Sequence, residues 1–307
     1  MAYGLQTAGN QEIRESLLSI LKDVSPNTDN YLTSNLGTAP AALNTLHQWV
    51  VYNTARPTSV TATIEGSIPT YGDLTAPTRT SNITEIVSEP VRVSGTMRAV
   101  SVATGEDPYV FQKTQALKRL KADMEFITIN GVRASGSSGV AGALTGIDGM
   151  ISTNVTARAS GTSFTETELN DIMNDVWTSV GSEYVSDLIV CPMVISRRIS
   201  GFTSNLTRFI DASEKRLTNQ VRVYDSQVGQ SVMIIPHKDV QSAAGTLTVY
   251  ALREELWNLS FLKGREPMYE ELAKDGDRDN GQYITEFTVV GYAQRGSAKR
   301  TGYGTGL

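Results

Sequence analysis

The acidic stretch near the carboxyl end of the sequence comes closest to a metal site. Asp275, Asp277 and Asp279 alternate with other residues, and Glu286 is the twelfth position counted from Asp275. Carboxylates at positions one, three, five and twelve are the ligand pattern of calcium-binding loops. The sixth position, however, is Asn280 where such loops need glycine, and Glu286 falls in a strand pattern where a helix is expected. We expect a solvated acidic turn, with these four carboxylates as the weak candidates for a bound cation.

Residues for nucleophilic or acid–base chemistry are few. The two histidines, His47 and His237, have no partner at the spacing of a metal site or a catalytic triad. The single cysteine, Cys191, lies in the apolar run Leu-Ile-Val-Cys-Pro, where a buried, unreactive thiol is expected, and one cysteine excludes an internal disulfide. We expect structural roles for all three, no cofactor and no enzymatic activity.

Two segments could bind anions. The glycine-rich residues 133–146 lack a Walker lysine and a GxGxxG spacing, so a flexible loop is favoured over a phosphate site. The basic tail residues Arg295, Lys299 and Arg300 could contact DNA phosphates, with contact to a neighbouring chain as the alternative. The net charge of -5 argues against a surface that is basic throughout.

The bulk composition is that of a globular protein. At 307 residues with 40% hydrophobic content, the chain can bury a substantial core. The first residues lack a signal-peptide pattern, and no stretch reaches the length of a membrane span, so we expect a protein of the cytoplasm or one assembled there, without membrane contact.

The first hundred residues contain segments whose apolar side chains cannot be buried within the segment itself. Residues 12–24 carry a helical apolar stripe that ends at Ser25-Pro26, and residues 26–44 have the composition of an extended arm. Residues 55–96 are rich in Thr, Val and Ile, with turn material around residues 69–73, which predicts a long, irregular two-armed β-hairpin. An isolated two-stranded hairpin is marginal in water, so this one must pack against another surface.

A long helix is the strongest local signal. Asp107 followed by Pro108 predicts its start, and Asn130-Gly131 its end. The predicted buried stripe consists of Val110, Leu117, Leu120, Met124 and Ile127. The opposite side carries Lys118, Lys121 and Glu125. We expect this side to be solvent-exposed or to contact a neighbouring chain.

The second half of the chain alternates helices and strands. Helices are predicted over residues 165–180 and 193–210, the first with an apolar face of Leu169, Ile172, Met173, Val176 and Trp177. Strands are predicted over residues 187–191, 221–224, 232–236, 246–252 and 283–292. This pattern indicates an α/β or α+β layer in which helices cover a small sheet, and we expect the α+β class.

The order of these parts, together with several sequence segments, resembles the Hong Kong 97-type major capsid proteins of tailed bacteriophages. The segments that carry the resemblance are LHQW (46–49), EGS (65–67), TRTSNITEI (78–86), VRVSGT (91–96), KADME (121–125), YDSQVGQSVMIIPH (224–237) and QYITEFTVV (282–290). They extend over nearly the whole chain, and their joint order is more specific than any one of them.

The resemblance implies a Hong Kong 97-like capsid fold. Its parts would be an N-terminal arm (1–54), an extended β-hairpin loop (55–96), a peripheral domain (97–161) with the spine helix 107–130 and the glycine-rich loop, an axial domain (162–255), and a return to the peripheral domain with the C-terminal tail (256–307). It further implies a virion protein that assembles in the host cytoplasm into hexamers and pentamers of an icosahedral head around double-stranded DNA.

The implied partners are further copies of the chain, a portal, separate scaffolding or decoration proteins, and packaged DNA through non-specific contacts. No lysine occurs between Lys22 and Lys113, so the extended loop cannot supply a cross-linking lysine, and the shell would be held non-covalently. The expected assembly interface comprises Pro69, Thr70, Tyr71, Gly72, Asp73, Lys118, Lys121 and Glu125.

Two alternatives remain open at this point. An encapsulin-like compartment would have the same fold and enclose enzyme cargo. A calcium-dependent surface-binding protein would instead use residues 275–286, and a chelator would then change its behaviour.

Overall fold

The computed structural model describes residues 30–52, 62–68, 76–100, 107–181, 185–202, 223–225, 231–240 and 246–304. The predicted helix over residues 12–24 lies outside this part of the chain. So do the loop-tip residues Pro69, Thr70, Tyr71, Gly72 and Asp73, and residues 203–210 of the predicted third helix.

The helices of the described residues are α1 (Tyr31–Asn35), α2 (Gly95–Ala99), α3 (Pro108–Asn130), α4 (Ile147–Met150), α5 (Glu166–Val180) and α6 (Met193–Gly201). The long helix α3 begins as predicted, since the Asp107 carboxylate accepts a hydrogen bond from the Tyr109 amide at 2.9 Å. The α5 helix begins at its predicted cap, where the Thr165 hydroxyl accepts from the Glu168 amide. Both helix predictions are confirmed.

The strands are β1 (Gly37–Thr38), β2 (Leu46–Val51), β3 (Thr78–Ile83), β4 (Glu85–Ser94), β5 (Val155–Thr162), β6 (Leu188–Cys191), β7 (Val223–Asp225), β8 (Ser231–Pro236), β9 (Leu247–Leu252), β10 (Trp257–Phe261), β11 (Met268–Leu272), β12 (Arg278–Gly291) and β13 (Ala298–Tyr303). Two short 3-10 turns, Glu254–Leu256 and Gln294–Gly296, flank the strands of the last third. Mixed helix and sheet confirm the predicted α+β class.

Among the described strands, a five-stranded sheet is organised around β12. This strand pairs with β4 on one edge and with β10 and β11 on the other, while β1 adds to β10 in parallel. A separate ribbon, made of β2 and β3 in antiparallel pairing, stands beside this sheet. We call this β2–β3 pair the ribbon.

The ribbon corrects the predicted hairpin over residues 55–96. Its first described strand starts earlier, at Leu46, and the second predicted arm divides at Thr84 into β3, which pairs with β2, and β4, which joins β12. Asn82 anchors this division because its buried side chain donates to the carbonyls of Thr145 and Val289, each at 3.0 Å.

The second sheet has the described strand order β5-β13-β9-β6-β8-β7. The last strand, β13, lies between β5 and β9, so the tail of the chain is an ordered inner strand. The strands β10, β11 and β12 of the last stretch belong to the first sheet. Residues 298–303 cross back into the second sheet.

The two sheets share a core. One cluster joins Leu120 and Met124 of α3 to Trp257 and Phe287 of the first sheet and to Tyr250 of the second. A second cluster packs α5 and α6 on the other face of the six-stranded sheet. Burial of these apolar faces provides the main driving force for the fold.

The arm and the glycine-rich segment, which we expected to be an extended arm and a flexible loop, both form regular contacts within the subunit. The described arm residues lie on their own chain: β1 pairs with β10, and the Ala39 and Ala42 amides donate to the carbonyls of Leu259 and Phe261. The glycine-rich residues 133–146 fold into a small hairpin, bridged at Ala134–Ala143, with Gly139 at φ +82° in its turn. None of the helices in the described part of the chain is long and apolar enough to cross a membrane.

Candidate functional site

A buried carboxylate on the long helix holds the arm in place. Glu125 of α3 is fully buried, and its two carboxylate oxygens accept the backbone N–H groups of Leu32 and Thr33, each at 2.7 Å. These amides belong to the first turn of α1, which lacks a side-chain cap of its own. The carboxylate thus caps a helix that is distant in sequence and fixes the start of the arm.

His237 completes this arrangement. Its Nε2 lies 3.0 Å from Glu125 Oε1, and its Nδ1 accepts the Asp239 amide at 3.2 Å. Because Nδ1 accepts, a neutral imidazole carries its proton on Nε2 and donates it to the carboxylate. Burial raises the pKa of the Glu125 carboxyl, but the hydrogen bonds from His237, Thr33 and Leu32 outweigh burial and leave this pKa below its ordinary value.

The position of Glu125 differs from the sequence prediction for the faces of α3. It was expected on the outer side of the long helix together with Lys118 and Lys121, whereas its carboxylate is wholly inside the subunit. The second half of α3 is covered on several sides by the arm and by the loop that carries His237, so a single outer stripe does not exist there. Lys121 is exposed and Lys118 is half-buried.

The buried stripe of α3 also differs from the predicted one at its start. Tyr109, Ala116, Leu120 and Met124 are buried, whereas Val110 is 57% exposed. Tyr109 rather than Val110 faces the sheet because its hydroxyl meets that of Tyr269 on β11, and the helix can turn only one of two consecutive residues inward. On α5, Leu169, Ile172, Met173 and Val176 are buried as predicted, but Trp177 is 46% exposed.

The acidic residues 275–286 do not converge on a cation. Asp279 forms ion pairs with Arg98 and Lys274, and Glu286 is buried, with its carboxylate accepting from Thr84 at 2.7 Å. Both lie on the extended strand β12, seven residues apart, which separates them by about 23 Å at about 3.3 Å per residue. Asp275 and Asp277 are exposed in the turn before β12. The described residues contain no group of three or more His, Cys, Asp or Glu side chains that could hold a metal ion.

The basic tail is largely paired within the subunit. Arg300 is buried, with ion pairs to Glu168 and Asp175 of α5, and Lys299 lies 3.0 Å from Asp148. Tyr303 also donates its hydroxyl to Glu168 at 2.8 Å. Of the three tail cations, Arg295 alone is exposed. The prediction that all three could contact DNA is therefore wrong for Arg300 and Lys299.

The remaining candidates for chemistry have structural surroundings. Cys191 is buried in β6, and burial raises the pKa of its thiol to about 12, so a thiolate is not available at neutral pH. His47 packs on Trp49 in the ribbon, with 5.9 Å between ring centroids, and partial burial lowers its pKa. The predictions of an unreactive thiol and of structural histidines agree with these positions.

The ribbon exposes apolar side chains on one face and shields a cleft with the other. Leu46 and Val50 point outward and are exposed. Trp49 points inward and donates its indole N–H to the Gly291 carbonyl at 3.0 Å. A cleft of about 1090 Å³ lies between this inner face, the end of α5 and the end of β12.

The family model of the SU10 major capsid protein matches residues 2–303. The chain belongs to the SU10 major capsid protein family. It is a capsid protein of the virion. The exposed ribbon and the arm held by Glu125 are therefore parts of a shell subunit. This family membership favours the phage capsid over the encapsulin and calcium-dependent alternatives.

Solved structures of low sequence identity share its fold. The capsid of a native GTA particle matches with a TM-score of 0.64 and 10% identity, over 97% of each chain. The capsid of Myoviridae phage XM1 matches with a TM-score of 0.61 and 10% identity, over 94% of this chain and 96% of the other. The SrpI encapsulin of Synechococcus elongatus PCC 7942 matches with a TM-score of 0.61 and 11% identity, over 100% and 98%. No match to a curated protein sequence was found.

These likenesses confirm the predicted Hong Kong 97-like fold of this capsid protein. The sequence analysis did not predict the contacts of Glu125 with the arm or those of Arg300 with α5. A signal for them existed, because Glu125 stands among the apolar residues of a long helix and His237 follows the apolar run of β8. A polar residue in apolar surroundings requires a partner inside the protein.

Proposed function

We propose that this capsid protein assembles through head-to-tail contacts into hexamers and pentamers, which tile an icosahedral head around double-stranded DNA. A heterologous contact of this kind closes into a ring when the rotation between copies permits it. The role is structural and involves no catalysis. The partners are other copies of the chain, a portal, and scaffolding or decoration proteins supplied as separate chains.

One observation carries the proposal: large apolar side chains of the ribbon and the loop beyond it are exposed on the single subunit. Ile64 is 82% and Ile68 90% exposed, and Val50 on the outer face of the ribbon is 63% exposed. Several large apolar side chains exposed to this degree indicate surfaces that contact a partner. Neighbouring copies are the partners that a shell subunit always has.

We assign the two proposed domains to the two sheets. The first sheet with α3 forms the peripheral domain, and the six-stranded sheet with α5 and α6 forms the axial domain near the ring centre. Residues 55–96 form the extended loop that overlaps a neighbour, with Pro69 to Asp73 at its tip. Lys118 and Lys121 on α3 are proposed interface residues, and Arg295 is the tail cation that could meet DNA.

The test is assembly of the full-length chain after expression. Electron microscopy is expected to show shells, tubes or capsomer rings, and ultracentrifugation to show species far larger than 33.3 kDa. A stable, monodisperse monomer at all concentrations would refute the proposal. Nuclease-protected DNA inside the particles separates a phage head from a compartment that encloses protein cargo.

A further inference from the structure

The cleft beside the ribbon is built from both aromatic and hydroxyl-bearing side chains. Four aromatic residues line it, namely Trp49, Tyr52, Trp177 and Tyr292. Further lining positions carry hydroxyl groups, namely Thr78, Thr80, Ser81, Thr145, Thr178 and Ser179. The cleft volume of about 1090 Å³ is close to the upper limit of small-ligand sites, which is about 1,000 Å³. The cleft therefore has room for a ligand of more than one ring.

Three of the four aromatic rings are open to solvent. Tyr52 is 56% exposed, Trp177 46% and Tyr292 37%. The face of an aromatic ring carries partial negative charge, which attracts weakly polarised C–H groups as well as cations. These rings can therefore stack on a ligand that presents C–H groups on a flat face.

The carboxyl end of α5 adds hydrogen-bond acceptors to the cleft wall. The Gly181 amide donates to the Trp177 carbonyl at 2.7 Å. Within α5, all of which is described, the carbonyls of Thr178, Ser179 and Val180 have no hydrogen-bond partner. All three residues line the cleft. Because these carbonyls accept and the nearby hydroxyl side chains both donate and accept, the wall suits a ligand with many hydroxyl groups.

The charge of the lining argues against several classes of ligand. Among the described residues that line the cleft, Arg295 is the only charged one. A nucleic acid strand requires several cations along its phosphates, and a cationic ligand would be repelled by Arg295. A purely aliphatic ligand would leave the hydroxyls and the carbonyls of α5 unpaired. These arguments favour a neutral ligand that combines an apolar face with hydroxyl groups.

A proline-rich peptide also binds to exposed aromatic rings, but it fits this wall less well. Proline lacks an N–H group, so such a peptide offers mainly carbonyl oxygens, which cannot pair with the carbonyls of α5. A sugar ring has C–H groups on its faces and hydroxyl groups at its rim. Its faces can stack on the aromatic rings while its hydroxyl groups donate to the end of α5.

We propose that the cleft is a binding site for a neutral oligosaccharide, which stacks on Trp177 and forms hydrogen bonds with the carboxyl end of α5. The site does not depend on the proposed self-association. Val50, whose exposure supports that association, points away from the cleft because it alternates with Trp49 and Val51 along β2. A shell assembled through the outer face of the ribbon leaves the cleft open, so particles bind the sugar as single subunits do.

Calorimetric titration of the full-length protein tests the site. The probes are cellohexaose, chitohexaose and maltohexaose, three neutral oligosaccharides, which are added separately to unassembled subunits and to particles. We expect saturable binding of at least one probe at millimolar concentration or below. Trp177→Ala should raise its Kd by about tenfold or more, because the variant loses the stacking surface. If none of the three sugars binds, the proposal is wrong.

Two further variants separate binding from folding. Trp177→Phe keeps an aromatic ring, and its Kd should stay within about threefold of the wild-type value. Phe126→Ala removes an aromatic side chain of α3 that is 53% exposed and does not line the cleft, so its Kd should be unchanged. Equal weakening by Trp177→Ala and Phe126→Ala, or full binding by Trp177→Ala, would contradict the assigned position.

Tryptophan emission shows where the sugar binds. Trp49 and Trp257 are buried, so Trp177 is the tryptophan whose environment a bound ligand changes most. We expect the emission to shift to shorter wavelength when the sugar saturates the protein, and to stay unshifted in Trp177→Phe. Calorimetric binding without any shift in the wild type would place the sugar elsewhere and overturn the assignment.

Two other outcomes would identify a different occupant of the cleft. Tighter binding of a polyproline peptide than of any of the sugars would replace the saccharide by a proline-rich segment. Binding by unassembled subunits but not by particles would show that a neighbouring copy covers the cleft, which contradicts an open site on the shell. If the chain forms no particles, the proposed function fails, whereas the titration of subunits still decides whether the cleft binds sugar.

Discussion

At the scale of single residues, this capsid protein uses buried charges to fix segments that its hydrophobic core cannot hold. Glu125 binds two amides of the arm, and Arg300 binds two carboxylates of α5. Both charges are buried and lie against oppositely charged or hydrogen-bonding partners, which is the condition under which burial of a charge is tolerated. Removal of one member weakens the pairing of buried polar groups around it, so each site is sensitive to substitution.

Substitution of Glu125 by glutamine tests the arm anchor. Glu125→Gln removes the charge and places an N–H₂ group against an amide, which we expect to lower the free energy of unfolding by about 2–3 kcal/mol. Chemical denaturation of unassembled subunits at neutral pH measures this. Lys121→Gln on the same helix is the control, and a change of about 0.5 kcal/mol or less is expected there because Lys121 is exposed.

The same pair predicts a pH dependence. The pKa of Glu125 is lowered in the folded protein, so its contribution is complete above the ordinary value of 4.5 and is lost as the pH falls through the lowered pKa. The difference in stability between the wild type and Glu125→Gln should therefore shrink as the pH falls below about 4.5. A difference that stays constant over this range would show that Glu125 does not act through its charge.

Arg300 gives a second prediction at this scale. We expect Arg300→Ala to cost about 2–3 kcal/mol because Glu168 and Asp175 lose a common partner. Arg300→Lys should recover part of the loss, since lysine keeps the charge but cannot bridge two carboxylates with a planar fork. The exposed Arg295→Ala is the control, and thermal unfolding is the measurement. An equal effect of all three substitutions would refute the role of Arg300 as a bridge.

At the scale of secondary structure elements, the last strand closes the second sheet. β13 pairs in parallel with β5 and antiparallel with β9, and its register shifts between Thr301 and Tyr303. Gly302 lies at this irregularity with φ +98°. A Cβ atom there would meet the Arg158 carbonyl oxygen at 2.2 Å. The strand can pass β5 only because this position lacks a side chain.

We therefore expect Gly302→Ala to destabilise the subunit, with about 1–3 kcal/mol from backbone strain and a further loss from the clash. The control is Gly201→Ala at the end of α6, where space is open and φ is not positive, and where a gain of up to about 1 kcal/mol is expected. Denaturant midpoints of the two variants provide the measurement. A neutral Gly302→Ala would mean that β13 can shift away from β5.

At the level of the whole molecule, the subunit folds around two sheets, and we propose that the loop beyond the ribbon contacts other copies. Deletion of residues 69–73 at the loop tip should leave the melting temperature of unassembled subunits unchanged. We expect particle yield to fall by about tenfold or more, since a loss of about 1.4 kcal/mol per contact already produces this factor. Yield is counted by electron microscopy, and an undiminished yield would remove the tip from the assembly surface.

Elements with local signals could be located from the amino-acid sequence alone. The caps Asp107 and Thr165 and the apolar periodicity located α3 and α5, and the order of segments identified the fold, because these features depend on near neighbours in the chain. The tertiary structure decided which charges are inside. We expected Glu125 on the outer side of α3 and Arg300 in a tail that could contact DNA, and only the approach of the arm and of α5, from about a hundred residues away, makes their burial favourable.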